Sequence, residues 1–166
     1  FQVNYFTNLL EIGKWKIRQF IKPQVIVGIN RQNSLGDLLT INQDYGIQGF
    51  NSAVYGTQKM LLTLQTQSYS PKAIWGFRLN PYFNYSLAVI ANKNSTMNTN
   101  KTYSKIGIGI LINNDYLVFS AFQLSLAYYP KIPFQGDHIF KTNAFETADF
   151  GFQNFELAKP KIVPFN

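Results

Sequence analysis

The sequence predicts an all-β protein, an up-and-down antiparallel sheet that closes into a transmembrane β-barrel. Three observations predict it. Residues alternate between apolar and polar with a period of two over stretches longer than an ordinary globular strand. Long polar connections alternate with tight turns, the rhythm of consecutive hairpins with one elaborated end. The polar face is also one-sided in charge, carrying Lys14, Lys16, Arg18, Lys22, Lys59, Arg78 and Lys105 with almost no acids. A barrel with an apolar interior normally carries mixed charge outside, whereas a membrane barrel has an apolar exterior and a polar lumen.

The elements follow in order. From Lys14 to Asn30, Trp15, Ile17, Ile21, Pro23, Val25, Val27 and Ile29 share one face. Lys14, Lys16, Arg18, Lys22, Gln24, Gly28 and Asn30 share the other, and Gln19 and Phe20 break the rule. From Lys59, Met60, Leu62 and Leu64 oppose Leu61, Thr63, Gln65 and Gln67. Ser70-Pro71-Lys72 is a turn. Trp75 to Val89 alternates almost without fault: Phe77, Phe83 and Leu87 lie with the apolar set, Arg78, Asn84 and Ser86 with the polar one.

Asn92 to Lys101, "NKNSTMNTNK", is a low-complexity polar loop, and Asn94 and Asn100 head glycosylation-like triplets best taken as loop polarity. Lys105 to Asn113 puts Ile106, Ile108, Ile110 and Ile112 on one face, with Gly107, Gly109 and Leu111 opposite, and ends at the turn Asn113-Asn114-Asp115. Tyr116 to Tyr129 is strand-like but apolar on both faces, so its orientation stays open. Pro130 to Asn143 reads as a second long loop. Phe150 to Phe165 is an aromatic-rich strand whose prolines assign it to an edge or seam. In a bilayer, Ile106, Ile108, Ile110, Phe77, Phe83 and Leu87 would face lipid, and Arg78, Asn84 and Lys105 the lumen.

Composition narrows the chemistry. The 166 residues carry 16% aromatics and only 14% charged residues, against about 25% charged in an ordinary domain, with a net charge of +7. No cysteine is present, which excludes disulfides and thiolate metal sites. The basic residues are spread through the chain, with only a local cluster at Lys14, Lys16, Arg18 and Lys22, which argues against nucleic acid as partner. His138 and Asp137 are adjacent in "QGDHIF" but have no nucleophile with them. Asp37 and Asp44 flank a loop and read as turn caps. No acid pair, metal cluster or phosphate-binding glycine loop emerges, so the expectation is a non-enzyme without cofactor or metal. No apolar run reaches the ~18–20 residues of a membrane helix, and the chain opens at Phe1 inside structured sequence, as part of a longer or processed protein would.

At Gly46-Ile47-Gln48-Gly49-Phe50, followed by "YGTQKMLLTLQTQSYSP", the chain resembles the sixth extracellular loop and next strand of the BamA-like superfamily. That bacterial surface antigen family of outer-membrane assembly factors and two-partner secretion transporters carries a (V/I)-R-G-(F/Y) loop motif. "IGKWKIRQFIKPQVIVGINRQ" is similar to the strand before the loop and "GFRLNPYFNYSLA" to the family's F-x-D-x-G strand. "IGIGILINNDYLVFSAFQLSLAYYP" is similar to the penultimate pair, and "FELAKPKIVPF" to the closing strand.

The resemblance implies that residues 1–166 are about seven C-terminal strands of a larger barrel of about 16. Upstream strands and any periplasmic domains would be absent. It implies a loop, about 32–57, folded inward against a wall of Arg78, Asn84 and Ser86, and a basic lumen of Lys14, Lys16, Arg18, Lys22, Lys59 and Lys105. The chain departs from the motif where the family's Arg is Gln48 and its Asp is Ser86. Both partners of an ion pair are replaced together, which avoids an unpaired buried charge and leaves a Gln–Ser hydrogen bond as the expected link.

The implied activity is insertion of outer-membrane proteins or translocation of polypeptide in the outer membrane of a Gram-negative bacterium. Its partners would be outer-membrane lipid, unfolded outer-membrane or secreted clients and accessory envelope proteins. Two alternatives stand beside it: a passive, anion-preferring porin-like pore, and a soluble β-sandwich that binds a ligand through its aromatics.

Overall fold

The computed structural model describes residues 1–29, 37–91, 102–114 and 122–147. Ten strands are present among them: β1 (Tyr5–Phe6), β2 (Leu10–Ile12), β3 (Trp15–Val27), β4 (Leu39–Thr40), β5 (Tyr55–Gly56), β6 (Gln58–Tyr69), β7 (Phe77–Ala91), β8 (Thr102–Asn114), β9 (Phe122–Ile132) and β10 (Gly136–Thr142). Eight of them form one antiparallel sheet in the order β1-β3-β6-β7-β8-β9-β10, with β2 also on β3; β4 and β5 form a separate pair.

The period of two sets the faces. In β7, Asn80, Tyr82, Asn84, Ser86, Ala88 and Ile90 are buried while Pro81 and Phe83 between them are exposed. β6 and β9 repeat this, with Lys59, Thr63, Gln65 and Gln67 inside and Met60 out, then Ser125, Ala127 and Tyr129 inside and Leu124 and Leu126 out. In β8, Lys105 and Gly107 are buried, and Ile106, Ile108 and Ile110 are exposed. The polar face is therefore the covered one.

What covers it is the loop between β3 and β6 together with residues 143–147. Ile41, Ile47, Phe50 and Phe145 pack there on Leu61, Tyr82, Ala88, Ile90, Ala127, Tyr129 and Ile132. Two glycines make this possible. A side chain at Gly107 would collide with the Phe145 ring, and one at Gly109 with the Tyr82 ring. The two rings lie edge to face, 5.7 Å apart, across the bare backbone of β8.

The structure corrects the predicted fold class. Among the described residues the sheet is open: β1 and β2 flank β3 at one side, β10 ends the other, and the two sides do not pair. A spanning structure needs closure, because an open edge leaves backbone N–H and C=O groups that hydrocarbon cannot satisfy. The transmembrane β-barrel and the transmembrane strands fall with closure, as does the outer-membrane location that rested on them. A porin-like pore needs the same closure and falls too. No helix among the described residues is long and apolar enough to cross a membrane.

Two smaller expectations change as well. Pro130 to Asn143 is not a long loop, because β9 continues to Ile132, turns and returns as β10. Pro130 has no donor to lose there: Lys131 pairs with Asp137 and Tyr129 with Ile139, while His138 between them takes φ +56°. Phe20, the exception in β3, lies on the covered face, 2% exposed and edge to face with Phe6. The expected strand Phe150–Phe165, the loop Asn92–Lys101, the turn at Asp115 and the segment 116–121 lie outside the described residues.

Candidate functional site

The loop is built on its own short-range contacts first. Asn42 exchanges two hydrogen bonds with the Ser52 backbone, donating to its carbonyl at 2.7 Å and accepting from its N–H at 3.0 Å. Between them a 3-10 turn, Gln43–Tyr45, leads into Gly46-Ile47-Gln48-Gly49-Phe50. Gly49 takes φ +74°, and a Cβ there would strike the Tyr129 hydroxyl, so the position needs glycine on both counts. Ile47 and Phe50 are fully buried, with the Phe50 ring 5.2 Å from that of Tyr103.

The sheet then holds the loop by its carbonyls. Lys59 Nζ donates to the Thr40 carbonyl at 3.2 Å and also to the Tyr45 carbonyl. The Tyr129 hydroxyl donates to Gln48 O at 2.6 Å, Lys141 Nζ to Gly49 O at 3.0 Å, and Gln135 Nε2 to Asn51 O at 2.6 Å. Tyr129, Lys141 and Gln135 all come from β9, β10 and their turn. The sequence singled out Lys59 but not Lys141 or Gln135; nothing marks a side chain that serves a distant backbone carbonyl.

Beneath the loop tip lies a cavity of about 200 Å³, lined by Gln48, Asp44, Lys22, Thr63, Asn84, Ser86 and Lys105. Gln48 and Ser86 thus share one cavity, but the expected hydrogen bond between them does not form. Ser86 Oγ donates instead to Asn84 Oδ1 at 3.3 Å and lies 3.5 Å from Thr63 Oγ1. Asn84 Nδ2 in turn donates to Gln65 Oε1 at 3.3 Å.

Lys105 is buried beside this neutral network, 1% exposed. Its Nζ lies 4.2 Å from the centre of the Phe145 ring. No acid pairs with it among the described residues. Burial pushes its amine down to about 7. Burial also lowers Lys59, with a smaller contribution from the charge of Lys22. Burial alone raises Tyr129 and Tyr103.

The other basic residues do not join them. Arg18 sits near Tyr69 and Lys16 at the opposite end of the sheet; Lys16 lies 3.5 Å from Glu11 at the surface. Lys14 is in the β2–β3 turn, and Arg78 is exposed at the start of β7. His138 stacks on Tyr128, with its Nδ1 2.7 Å from the Tyr128 hydroxyl, on the exposed side of β10.

On the uncovered face, β7, β8 and β9 form a shallow trough of about 590 Å³, walled by Pro81, Phe83, Ile108, Ile110, Leu124 and Leu126. Ile108 is 55% exposed and Leu124 47%.

No protein family, no curated protein and no solved structure matches the chain. With the sheet open, the BamA-like surface-antigen resemblance is therefore overturned. The protein insertion or translocation it implied, and the Gram-negative outer membrane as its setting, go with it.

Proposed function

We propose that this chain is a non-catalytic β-sheet binding module that takes an apolar ligand on the uncovered face of its sheet. The observation that carries this is the inversion of the sheet. Its polar side is covered by the loop and residues 143–147, while Phe83, Ile106, Ile108, Ile110, Leu124 and Leu126 are each 41–55% exposed across three adjacent strands. Contiguous exposed apolar surface of this kind marks binding sites in folded proteins. The trough is concave and lies where direct cross-strand neighbours such as Phe83–Ile108 and Ile108–Leu126 stack side by side.

Of the readings open from the sequence, the soluble module that binds a ligand through its aromatics is the nearest, although the trough wall offers one exposed aromatic, Phe83, among aliphatic side chains. The ligand class is elongated and apolar, an acyl chain or fused aromatic, since among the described residues no charged group lines the trough to orient a polar one. Titration with a fluorescent polyene fatty acid tests it. Saturable binding is expected, weakened about tenfold or more by Ile108→Asp or Leu124→Asp, with the circular dichroism of the sheet unchanged. Binding indifferent to both substitutions would sink the reading.

A further inference from the structure

We propose that the cavity under the loop tip is a binding site for one small oxyanion, held by Lys105 and Lys22 with Ser86, Thr63 and Asn84 as neutral partners. The site lies on the face opposite the apolar trough and is independent of it.

Three observations converge there. The cavity is polar and lies between loop and sheet, and its 200 Å³ exceeds the ~30 Å³ share of a single water several times over. Lys105 is buried against it with no acid to pair with among the described residues, and a buried cation without a counter-charge is costly. The polar side chains beside it are hydroxyls and an amide rather than carboxylates; Asn84 keeps a second N–H beyond the one given to Gln65, and the Ser86 hydroxyl can turn from Asn84 Oδ1 to an anion.

The surrounding charges favour an anion. Lys22 lines the cavity, and its positive charge adds to burial in lowering Lys59. Asp44 is the one acid in the lining among the described residues and is exposed. Tyr103 and Tyr129, on the same face, are held neutral by burial. An anion entering this cavity stabilises the charged form of Lys105, so binding takes up a proton near neutral pH and weakens as pH rises above about 7.

The source of the oxyanion is a carboxylate or a tetrahedral sulfate or phosphate group, and two probes separate them. Sulfate and acetate carry no titration of their own between pH 6 and 9. The test measures the acetylation rate of Lys105 in the 166-residue chain by peptide mass spectrometry, with and without each ion. Saturable protection is expected, at least tenfold tighter at pH 6 than at pH 9. Protection by sulfate alone assigns a tetrahedral ligand, by acetate alone a carboxylate. Lys105→Met should then lose at least tenfold in calorimetric affinity at pH 6, and with it the pH dependence. Absence of protection by both ions, or calorimetric affinity unchanged in Lys105→Met, overturns the proposal. The protection assay uses the unaltered chain and decides the matter even if the substitution unfolds it.

Discussion

The Tyr129 hydroxyl donates to the Gln48 carbonyl at 2.6 Å, joining residues 81 positions apart. A strand formed late in the chain thereby holds the tip of a loop formed early. Removing the hydroxyl leaves a half-buried carbonyl without this partner. Tyr129→Phe should cost about 1 kcal/mol of stability. Hydrogen exchange gives the sharper measure: the Phe50 amide, which closes the turn onto Ile47 O, should exchange faster while β7 amides keep their protection. Unchanged exchange at Phe50 would mean the loop is seated by packing alone.

Gly109 makes a second contact testable. An alanine there has nowhere to put its Cβ except into the Tyr82 ring. Gly109→Ala should lower stability by about 1–3 kcal/mol through overpacking, read as a drop in the urea midpoint. Tyr82→Leu in the same chain should recover part of the loss. Additive effects of the two substitutions would separate the ring from the glycine.

Lys105 links stability to pH. Its folded-state value is depressed to about 7, whereas an unfolded lysine titrates near 10.4. Below about pH 7 both states are protonated and the whole burial penalty is present. Between about pH 7 and 10.4 the unfolded state binds more protons, so stability rises with pH, by at most about 1.4 kcal/mol per unit. Lys105→Met should therefore be more stable than the parent by a few kcal/mol at pH 6, in buffer free of sulfate and phosphate, with the gap closing toward pH 10. A constant gap across that range would place the lysine amine in water.

Gln48 and Ser86 share a cavity without bonding. Gln48→Arg alone should destabilise, since it adds a cation beside Lys22 and Lys105. Ser86→Asp supplies the matching carboxylate, and the double substitution should recover the loss with a coupling of about 1–3 kcal/mol. Simple additivity would show that the two positions are out of reach of one another.

Much of this was legible in the sequence, and what was not has physical reasons. The alternation from Phe77 to Val89 and from Ile106 to Ile112 assigned those residues to the faces they occupy, because a strand has only two sides. Alternation does not say what covers each side. An apolar exterior around a polar lumen and an open sheet with its polar side roofed by a loop have the same period. The hairpin at Pro130 to Asn143 was hidden by its composition, since proline, glycine and charge are loop signals. Here Pro130 falls opposite His138, where the ladder asks nothing of it. The loop's glycines stand in plain view in the Gly46-Ile47-Gln48-Gly49-Phe50 motif, whereas Lys141 and Gln135 reach unmarked carbonyls 92 and 84 residues away.

Those long reaches bear on the order of assembly. The loop tip is made before its captors exist, and during synthesis some eighty to ninety residues must follow it before Tyr129, Gln135 and Lys141 arrive. Until the β9–β10 hairpin docks, the loop has its own Asn42–Ser52 hydrogen bonds and Lys59, 14 residues from Tyr45, to hold it. Contacts of such separation form slowly, because chain entropy is lost before they reward it. Seating of the loop should be the last and slowest phase of refolding, and a chain truncated before β9 should form its hairpins with the roof still open.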